Sequence, residues 1–337
     1  MNVYYQLSTY ISHRRAGEAY IACLDAAGHT RVDDPALADV AILHDDASNL
    51  PFYVASLPLR PGVPKIAFCV WETDRLPDAY IAGLSLVDRV WTPSEFSLAA
   101  IEPHFPGSRL LPHVVERTRP GRDALTWAME RIGKQAGEST HYFYTVIDSI
   151  NPRKNLEGLL NAFITAFPEG GAQRAARLVI KQYRQPLDVS AFGHIIAVDE
   201  TLDDERMAAL HAVCDTFVSA HHAEGWGMGL SEAMSFGKLV LATGYSGNMQ
   251  FMTEENSVPL PYTLAPVGQA MCDASPLFTP DMRWADVDIP AMAASMRKAL
   301  RGISPEKRRT IQESMRAFSP EAVSRRLAEL LREFGPV

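Results

Sequence analysis

The chain has 337 residues, 47% of them hydrophobic, and its 32 Lys and Arg against 40 Asp and Glu leave a net charge of −8. That length and apolar content suffice for two buried cores. The acidic balance argues against a nucleic-acid partner, because no surplus of cations is available to neutralise phosphates along a duplex. Four cysteines (Cys23, Cys69, Cys214 and Cys272) lie without CxxC spacing, a usage that predicts a reducing, cytoplasmic setting and offers no zinc template. No stretch approaches about eighteen consecutive apolar residues, and MNVYYQLSTYISHRR lacks a long apolar core, so neither a spanning helix nor an export signal is expected.

Strand-like runs alternate with helix-length segments, the pattern of an α/β protein built on parallel sheets. ADVAILHD at 38–45, PKIAFCVW at 64–71, DRVWTP at 88–93 and LLPHVV at 110–115 read as strands of a first unit, spanning 1–118. Residues 119–140 turn polar and are expected to form a hinge or linker. A second unit, 141–318, opens on the strand HYFYTVI at 141–147 and continues with strands at 177–182, 194–198, 215–220 and 238–243. Between the first two of these, Leu156, Leu159, Leu160, Phe163 and Phe167 recur at spacings of three and four, one apolar stripe for packing on a sheet. Residues 289–334 read as helical throughout.

The stretch with most chemical content is Ala220 to Asn248, AHHAEGWGMGLSEAMSFGKLVLATGYSGN. A buried strand ends near residue 220, and good helix formers from Met228 to Phe236 stop at Gly237. Glu224 then lies in the strand-to-helix turn and Glu232 in the helix, with carboxylates on the order of 10 Å apart. That is too far to share a proton, but it suits the two ends of a nucleotide sugar, one carboxylate taking the ribose diol and the other the sugar ring. Between them Gly225, Gly227 and Gly229 let backbone amides approach a diphosphate at the positive end of the helix. The plainer reading, a turn whose glycines merely close it, must also account for Trp226, the second turn at Gly244 to Asn248, and the basic segment upstream.

These residues resemble a family. Glu224, Gly225, Trp226, Gly227, Glu232, Ala233, Met234 and Gly237 match the signature of the GT4-type retaining glycosyltransferases, which have the GT-B fold. The likeness continues through GYSGNMQFM at 244–252, NPRKNLEGLLNAF at 151–163 and LVIK at 178–181. In the first unit it takes in VWETDRLPDAY at 70–80 and RVWTPSEFS at 89–97. It implies two Rossmann-like domains facing across a cleft, with residues 319–337 forming a C-terminal helix that returns to the N-terminal domain. It also implies transfer of a hexosyl group from a nucleoside diphosphate sugar to a hydroxyl acceptor with retention, and leans towards bacterial surface-polysaccharide enzymes using GDP-mannose or UDP-glucose.

A cation is needed beside the leaving diphosphate, where charge builds as the glycosidic bond breaks. Arg153 and Lys154 open a helix and Lys181 ends a strand, both on the carboxyl side of the sheet where open α/β sheets bind ligands. The resemblance makes Lys154 the phosphate lysine, gives Glu224 the donor sugar, Glu232 the ribose and the amides of Gly227, Met228 and Gly229 the diphosphate, and brings the backbone near Leu202 to the base. It also points to two departures. An arginine common about six residues before the lysine is Asp148 here, and a histidine expected after a strand of the first domain is replaced by Trp71 and Glu72. Those two residues are the candidates for the acceptor pocket, together with Gly17, the remnant of a glycine-rich loop.

Metal binding is not expected. His221 and His222 are adjacent and point apart in regular β-structure, and Asp286 to Asp288 reads as the lead-in to a helix. The basic residues near the C-terminus, among them Arg297, Lys298, Arg301, Lys307, Arg308, Arg309, Arg316, Arg325 and Arg326, raise contact with an anionic membrane surface, although interspersed glutamates favour a solvated helix face. Two rival functions stay open: a nucleotide-sugar epimerase on the same fold, and a nucleotide-sugar binder without turnover.

Overall fold

A computed structural model describes residues 1–168, 175–182 and 184–335. Its core is a pair of parallel six-stranded sheets. The first is built from β1 (Asn2–Leu7), β2 (Thr30–Val32), β3 (Val40–His44), β4 (Lys65–Phe68), β5 (Arg89–Thr92) and β6 (Arg109–Leu110), in the order β2-β1-β3-β4-β5-β6. The second takes β7 (His141–Val146), β8 (Ala176–Lys181), β9 (Ile195–Val198), β10 (Thr216–Ser219), β11 (Leu239–Thr243) and β12 (Val258–Leu260), in the order β12-β11-β10-β7-β8-β9. This is the α/β, GT-B architecture that the sequence implies. Its strands are near-continuous apolar runs, such as the fully buried VAILH of β3, because helices cover both faces of a parallel sheet. The helix Leu156–Ala166 lays Leu159 and Phe163 on the second sheet, with Leu156 and Leu160 at the margin, as the spacing predicts.

Each sheet changes winding direction once, between β1 and β3 in the first and between β7 and β10 in the second. Chains leaving the carboxyl ends of such a pair diverge to opposite faces and open a crevice. The segments that leave β7 and β10 are 147–155 and 220–227, the two richest in candidate site residues.

Three expectations need correction. The polar stretch 119–140 is not a bare linker: it holds the helix Arg122–Ile132, whose Ala124 and Ala128 pack with Ala209 of the helix Asp204–Val213. Its many charges sit on the solvent side, which is why its composition resembles a loop. Gly17 lies within the helix Ile11–Ala26, not in a loop, and a Cβ there would come within 2.4 Å of Leu7 and 3.0 Å of His44, so the glycine sets how closely that helix approaches its sheet. Asp286 belongs to an unanticipated hairpin of β13 (Tyr262–Pro266) and β14 (Arg283–Val287), while Asp288 does cap the next helix by accepting from the amide of Ala291.

That hairpin helps to join the domains. Met271, Phe278, Met282 and Trp284 form one buried cluster with Trp71, Tyr80 and Leu43 of the first domain. The Trp71 ring stacks on Phe278 at 5.0 Å. Polar contacts accompany it: Arg75 to Asp281 at 3.0 Å, and the amide of Arg283 to Asp74 at 2.7 Å.

The C-terminal helix Pro320–Leu331 returns to the N-terminal domain. Val323, Leu327, Leu330 and Leu331 form one apolar face that is buried with Tyr20, Cys23 and Leu24. Arg326 donates to the carbonyl of Leu110, and Glu333 pairs with Arg109 at 3.1 Å. Some of the basic residues considered for a membrane surface donate to backbone carbonyls at the surface, Arg297 to that of Thr165 and Lys307 to those of Glu254 and Glu255. Among the described residues no helix is long and apolar enough to cross a membrane. Residues 336 and 337 of the expected 319–337 segment lie outside the described residues. Because Leu327 is fully buried between the two ends of the chain, Leu327→Ala should cost about 2–5 kcal/mol, measured as a lower urea midpoint.

Candidate functional site

A cavity of about 610 Å³ opens between the domains at the switch point of the second sheet, within the size range of small-molecule sites. Two turns shape it. After β7, Asn151 accepts from the amide of Arg153, and Asn155, at φ 50°, caps the helix Leu156–Ala166 through the amide of Gly158. The Asn155 side chain also donates to the carbonyl of Ala220 at 2.9 Å, tying this turn to the one after β10. Between the two asparagines the chain presents Arg153 and Lys154.

The second turn is packed backbone to backbone. Glu224 donates its amide to Ser246 Oγ at 2.7 Å and accepts from the amide of Gly247 at 2.7 Å. A Cβ on Gly247 would lie 2.0 Å from the carbonyl oxygen of Gly225, so only glycine fits. Gly225 is pressed from the other side by Val70 of the first domain, and its carbonyl accepts from Ser94 Oγ at 2.6 Å. Gly227, at φ 94°, starts the helix Met228–Ser235 in a left-handed conformation. Met228 and Gly229, whose amides precede the first intrahelical donor, line the cavity at the positive end of the helix.

The turns bring four charged groups together. Lys154 Nζ lies 2.6 Å from Glu224 Oε1, and Arg153 Nη1 lies 3.2 Å from Glu224 Oε2. The same guanidinium reaches Glu72 of the first domain at 3.0 Å and the carbonyl of Ala223. Arg153 and Glu224 are 7% and 6% exposed. Burial by itself would raise the Glu224 carboxyl, but Lys154 and Arg153 outweigh it and hold the group at about 2. Burial opposes the charge on Arg153 too, and Glu72 and Glu224 reverse that effect and raise its pKa. Arg153 and Glu224 are therefore both ionised at neutral pH.

His221 and His222 point apart. His221 is sandwiched between Ser219 Oγ at 2.9 Å and Asn248 Oδ1 at 3.1 Å, and burial pushes it down to about 4. Since the Asn248 amide nitrogen donates to the carbonyl of Thr243, its oxygen must accept from Nε2–H, leaving Nδ1 to accept from Ser219. His222 instead stacks on Trp284 at 4.1 Å and meets Asp286 at 3.0 Å. Among the described residues no group of three or more His, Cys, Asp or Glu is placed to hold a metal ion.

Of the sequence candidates, Arg153, Lys154, Glu224, Gly225, Gly227, Met228, Gly229 and Glu72 converge on the cavity. Trp226 and Trp71 border it, but both rings serve the core: Trp226 packs on Phe251 and Phe318, and Trp71 on Tyr80 and Phe278. Four residues do not line it. Glu232 turns to His211 at 3.5 Å and Arg15 at 3.9 Å, and these contacts, His211 first, hold its pKa low against burial. Lys181 is buried and donates to the carbonyl of Gln182, Leu202 packs partly buried against the second-domain core, and Gly17 is internal to its helix.

The residues that sequence reasoning missed are Arg184 in the loop after β8 and, on the first-domain wall, Tyr10, His13, Asp46, Tyr80 and His113. The strand-end argument that selected Lys181 reaches Arg184 three residues later. The first-domain set carries no local signal, because its members come from four separate loops and helices.

Glu224 supplies a pH-dependent contribution with a definite sign. Its pKa falls from an ordinary 4.5 to about 2 on folding, so the stabilisation is fully present above pH 4.5 and is lost as the pH falls towards 2. Urea unfolding between pH 6 and 2 should lose on the order of 3 kcal/mol more in the parent than in Glu224→Gln.

Residues 194–258 match the family model described as glycosyl transferases group 1. No curated protein matches significantly. Among solved structures, the chain is similar to sucrose-phosphate synthase from Thermosynechococcus elongatus, at a TM-score of 0.63 and 17% identity, covering 98% of both chains. It is also similar to WaaG, a glycosyltransferase involved in lipopolysaccharide biosynthesis, at 0.63 and 12%, covering 98% of this chain and 99% of that one. TarM of S. aureus gives 0.63 and 12%, covering 89% of this chain, which spans only 56% of TarM. At such identities the structural likeness speaks for the fold. The family match covers 65 of the 337 residues and contains everything from Glu224 to Gly237, and the chain has the GT-B fold of these structures.

Proposed function

We propose that the chain is a retaining, metal-independent transferase that moves a hexosyl group from a nucleoside diphosphate sugar to a hydroxyl of a glycan, lipid-linked or small-molecule acceptor. The observation that carries this reading is the convergence of Arg153, Lys154, Glu224 and the helix N-terminus at Met228 and Gly229 on one interdomain cavity. Two cations and a helix N-terminus at one wall suit a diphosphate. A permanently ionised carboxylate between them suits sugar hydroxyls, which donate to it. Glu224 at about 2 cannot deliver a proton near neutral pH, so its role is to orient the donor.

In the proposed reaction the anomeric carbon–oxygen bond to the diphosphate breaks as the acceptor oxygen bonds to the same face. The acceptor proton passes to the leaving phosphate oxygen. Lys154 and Arg153 stabilise the charge that builds on that phosphate. TarM and GtfA were solved with UDP, which supports including a uridine donor; GDP-mannose and UDP-glucose are the first sugars to test. Glu232 and Leu202 fall outside the cavity in this arrangement and take the ribose and base only if the Arg15 contact releases. The acceptor would lie against the first-domain wall formed by Glu72, Tyr80 and His113, and four free cysteines fit a cytoplasmic setting.

Thermal stabilisation by GDP, UDP, ADP and TDP and their sugars, in EDTA, tests the donor. Ligand at about a hundred times its Kd adds about 2.7 kcal/mol, so one nucleotide should raise Tm by several degrees and Glu232→Ala should lose part of that shift. No shift with any of the eight would overturn the reading. With a donor in hand, Glu224→Ala should lower turnover by about a hundredfold or more while still binding the free nucleotide; unchanged turnover would remove Glu224 from the mechanism.

A further inference from the structure

The cavity is lopsided in its charges. Its cations, Arg153, Lys154 and Arg184, all come from the second domain, whereas the first domain supplies Asp46 and Glu72 with, among the described lining residues, no Lys or Arg. Glu72 is already paired with Arg153. Asp46 is different: one oxygen accepts from the Tyr80 hydroxyl at 2.8 Å, the other has no hydrogen-bond partner, and no cation pairs with either among the described residues. The segment between β13 and β14 adds Met271, Ala274, Leu277 and Phe278, an apolar wall broken only by Ser275.

His113 completes this side. It is 5% exposed and lines the cavity, with the rings of Phe68 and Trp226 at 5.6 Å and that of Tyr20 at 5.8 Å. The Tyr20 hydroxyl lies 3.0 Å from the carbonyl of Leu111 and 2.9 Å from His113 Nδ1. A carbonyl only accepts, so the one hydroxyl hydrogen goes to it and Nδ1–H must donate to the Tyr20 oxygen. Nε2 is then the bare nitrogen. It is an acceptor with no partner among the described residues and, unlike His44 Nε2, it is not closed off from solvent. Burial pushes His113 down to about 3, so the imidazole stays neutral at neutral pH.

We propose that Asp46 and His113 bind the acceptor, and that the acceptor end they bind is an uncharged sugar or polyol, without a phosphate or carboxylate beside the reacting hydroxyl. Resting on the transferase reading above, this names the acceptor's chemical class. The free oxygen of Asp46 and Nε2 of His113 can only accept, so the ligand must donate to them. A hydroxyl both donates and accepts, and two hydroxyls of one sugar satisfy both groups while keeping oxygens for other partners. A phosphate dianion or a carboxylate brings acceptors only. It would meet the Asp46 charge and give up hydration against the apolar wall with no cation on that side to replace it.

The test supplies the donor found by thermal stabilisation together with methyl glucosides, galactosides and mannosides of both anomers, each beside its 6-phosphate and its uronic acid, and reads release of nucleoside diphosphate. At least one uncharged glycoside should be consumed, with its two charged counterparts at least about tenfold poorer in kcat/KM. For that glycoside, Asp46→Ala and His113→Phe should each raise the acceptor KM about tenfold and change kcat less. His113→Gln, whose amide oxygen can stand in for Nε2, should recover part of the loss. Stabilisation of each variant by the free nucleotide should match the parent's, which separates an acceptor defect from a folding one. A charged glycoside used as well as its uncharged parent would overturn the class. A parent-like acceptor KM in either variant would overturn that residue's assignment, and silence of every uncharged glycoside in a protein that binds its donor would overturn both class and assignment; in each case the donor reading stands. If the parent binds none of the nucleotides, the donor reading fails and this assignment falls with it.

Discussion

The arrangement depends on one buried charge. Arg153 sits at the seam of the two domains with Glu224 on one side and Glu72 on the other, and its guanidinium is almost wholly removed from water. Such a group is tolerable only while its partners stay in place, because the solvation it has lost is returned only by close, well-directed anions. Glu224 belongs to the turn after β10 and Glu72 to the loop after β4, so the demand of one side chain fixes the spacing of two domains. A bound diphosphate would compete for the same cations. Donor binding as proposed would thereby be coupled to the way the domains meet through a single ionic network.

The glycine turn makes that network possible at the level of the backbone. Glu224 reaches Lys154 because its own amide and carbonyl are held by Ser246 and Gly247, and Gly247 can lie there only without a side chain. Gly225 is just as tight against Val70. The two turns of the signature, around residues 224–229 and 244–248, are therefore one packed object rather than two motifs in sequence. Its rigidity sets the carboxylate in place, and the helix N-terminus beside it follows.

Much of the scaffold was legible because parallel strands buried on both faces must be apolar throughout, as in Val40–His44 and Leu239–Thr243. The amphipathic stripe of Leu156–Ala166 was legible for the same reason. The glycines and carboxylates of 224–237 could be read as a site because their spacing alone defines a turn feeding a helix. What could not be read is contact between residues far apart in the chain. The pairing of Glu72 with Arg153, the hairpin that seats Phe278 on Trp71, and the anchoring of Arg184 by Asp148 have no local periodicity. Trp226 and Trp71 drew attention as large aromatics beside charged residues, yet burial of their rings in the core outweighs any role at the surface of the cavity. The helix Arg122–Ile132 was hidden by its charges, since two of its three buried residues are the small Ala124 and Ala128, with Ile132 the third.

Glu224 and Glu232 show how far spacing can be trusted. Eight residues around a turn keep the two carboxylates from sharing partners: one is locked to Lys154 and Arg153, the other to His211 and Arg15. Arg15 comes from the first domain and also holds Asp204 at 2.8 Å, next to the loop that carries Leu202. The far end of the proposed donor site is thus bridged by an exposed ion pair, while the near end is bridged by a buried one. Exposed pairs contribute little and break readily. The side proposed for the nucleotide base is therefore the side where the domains are held by the weaker ionic contact, and the buried Glu72–Arg153–Glu224 network holds the other.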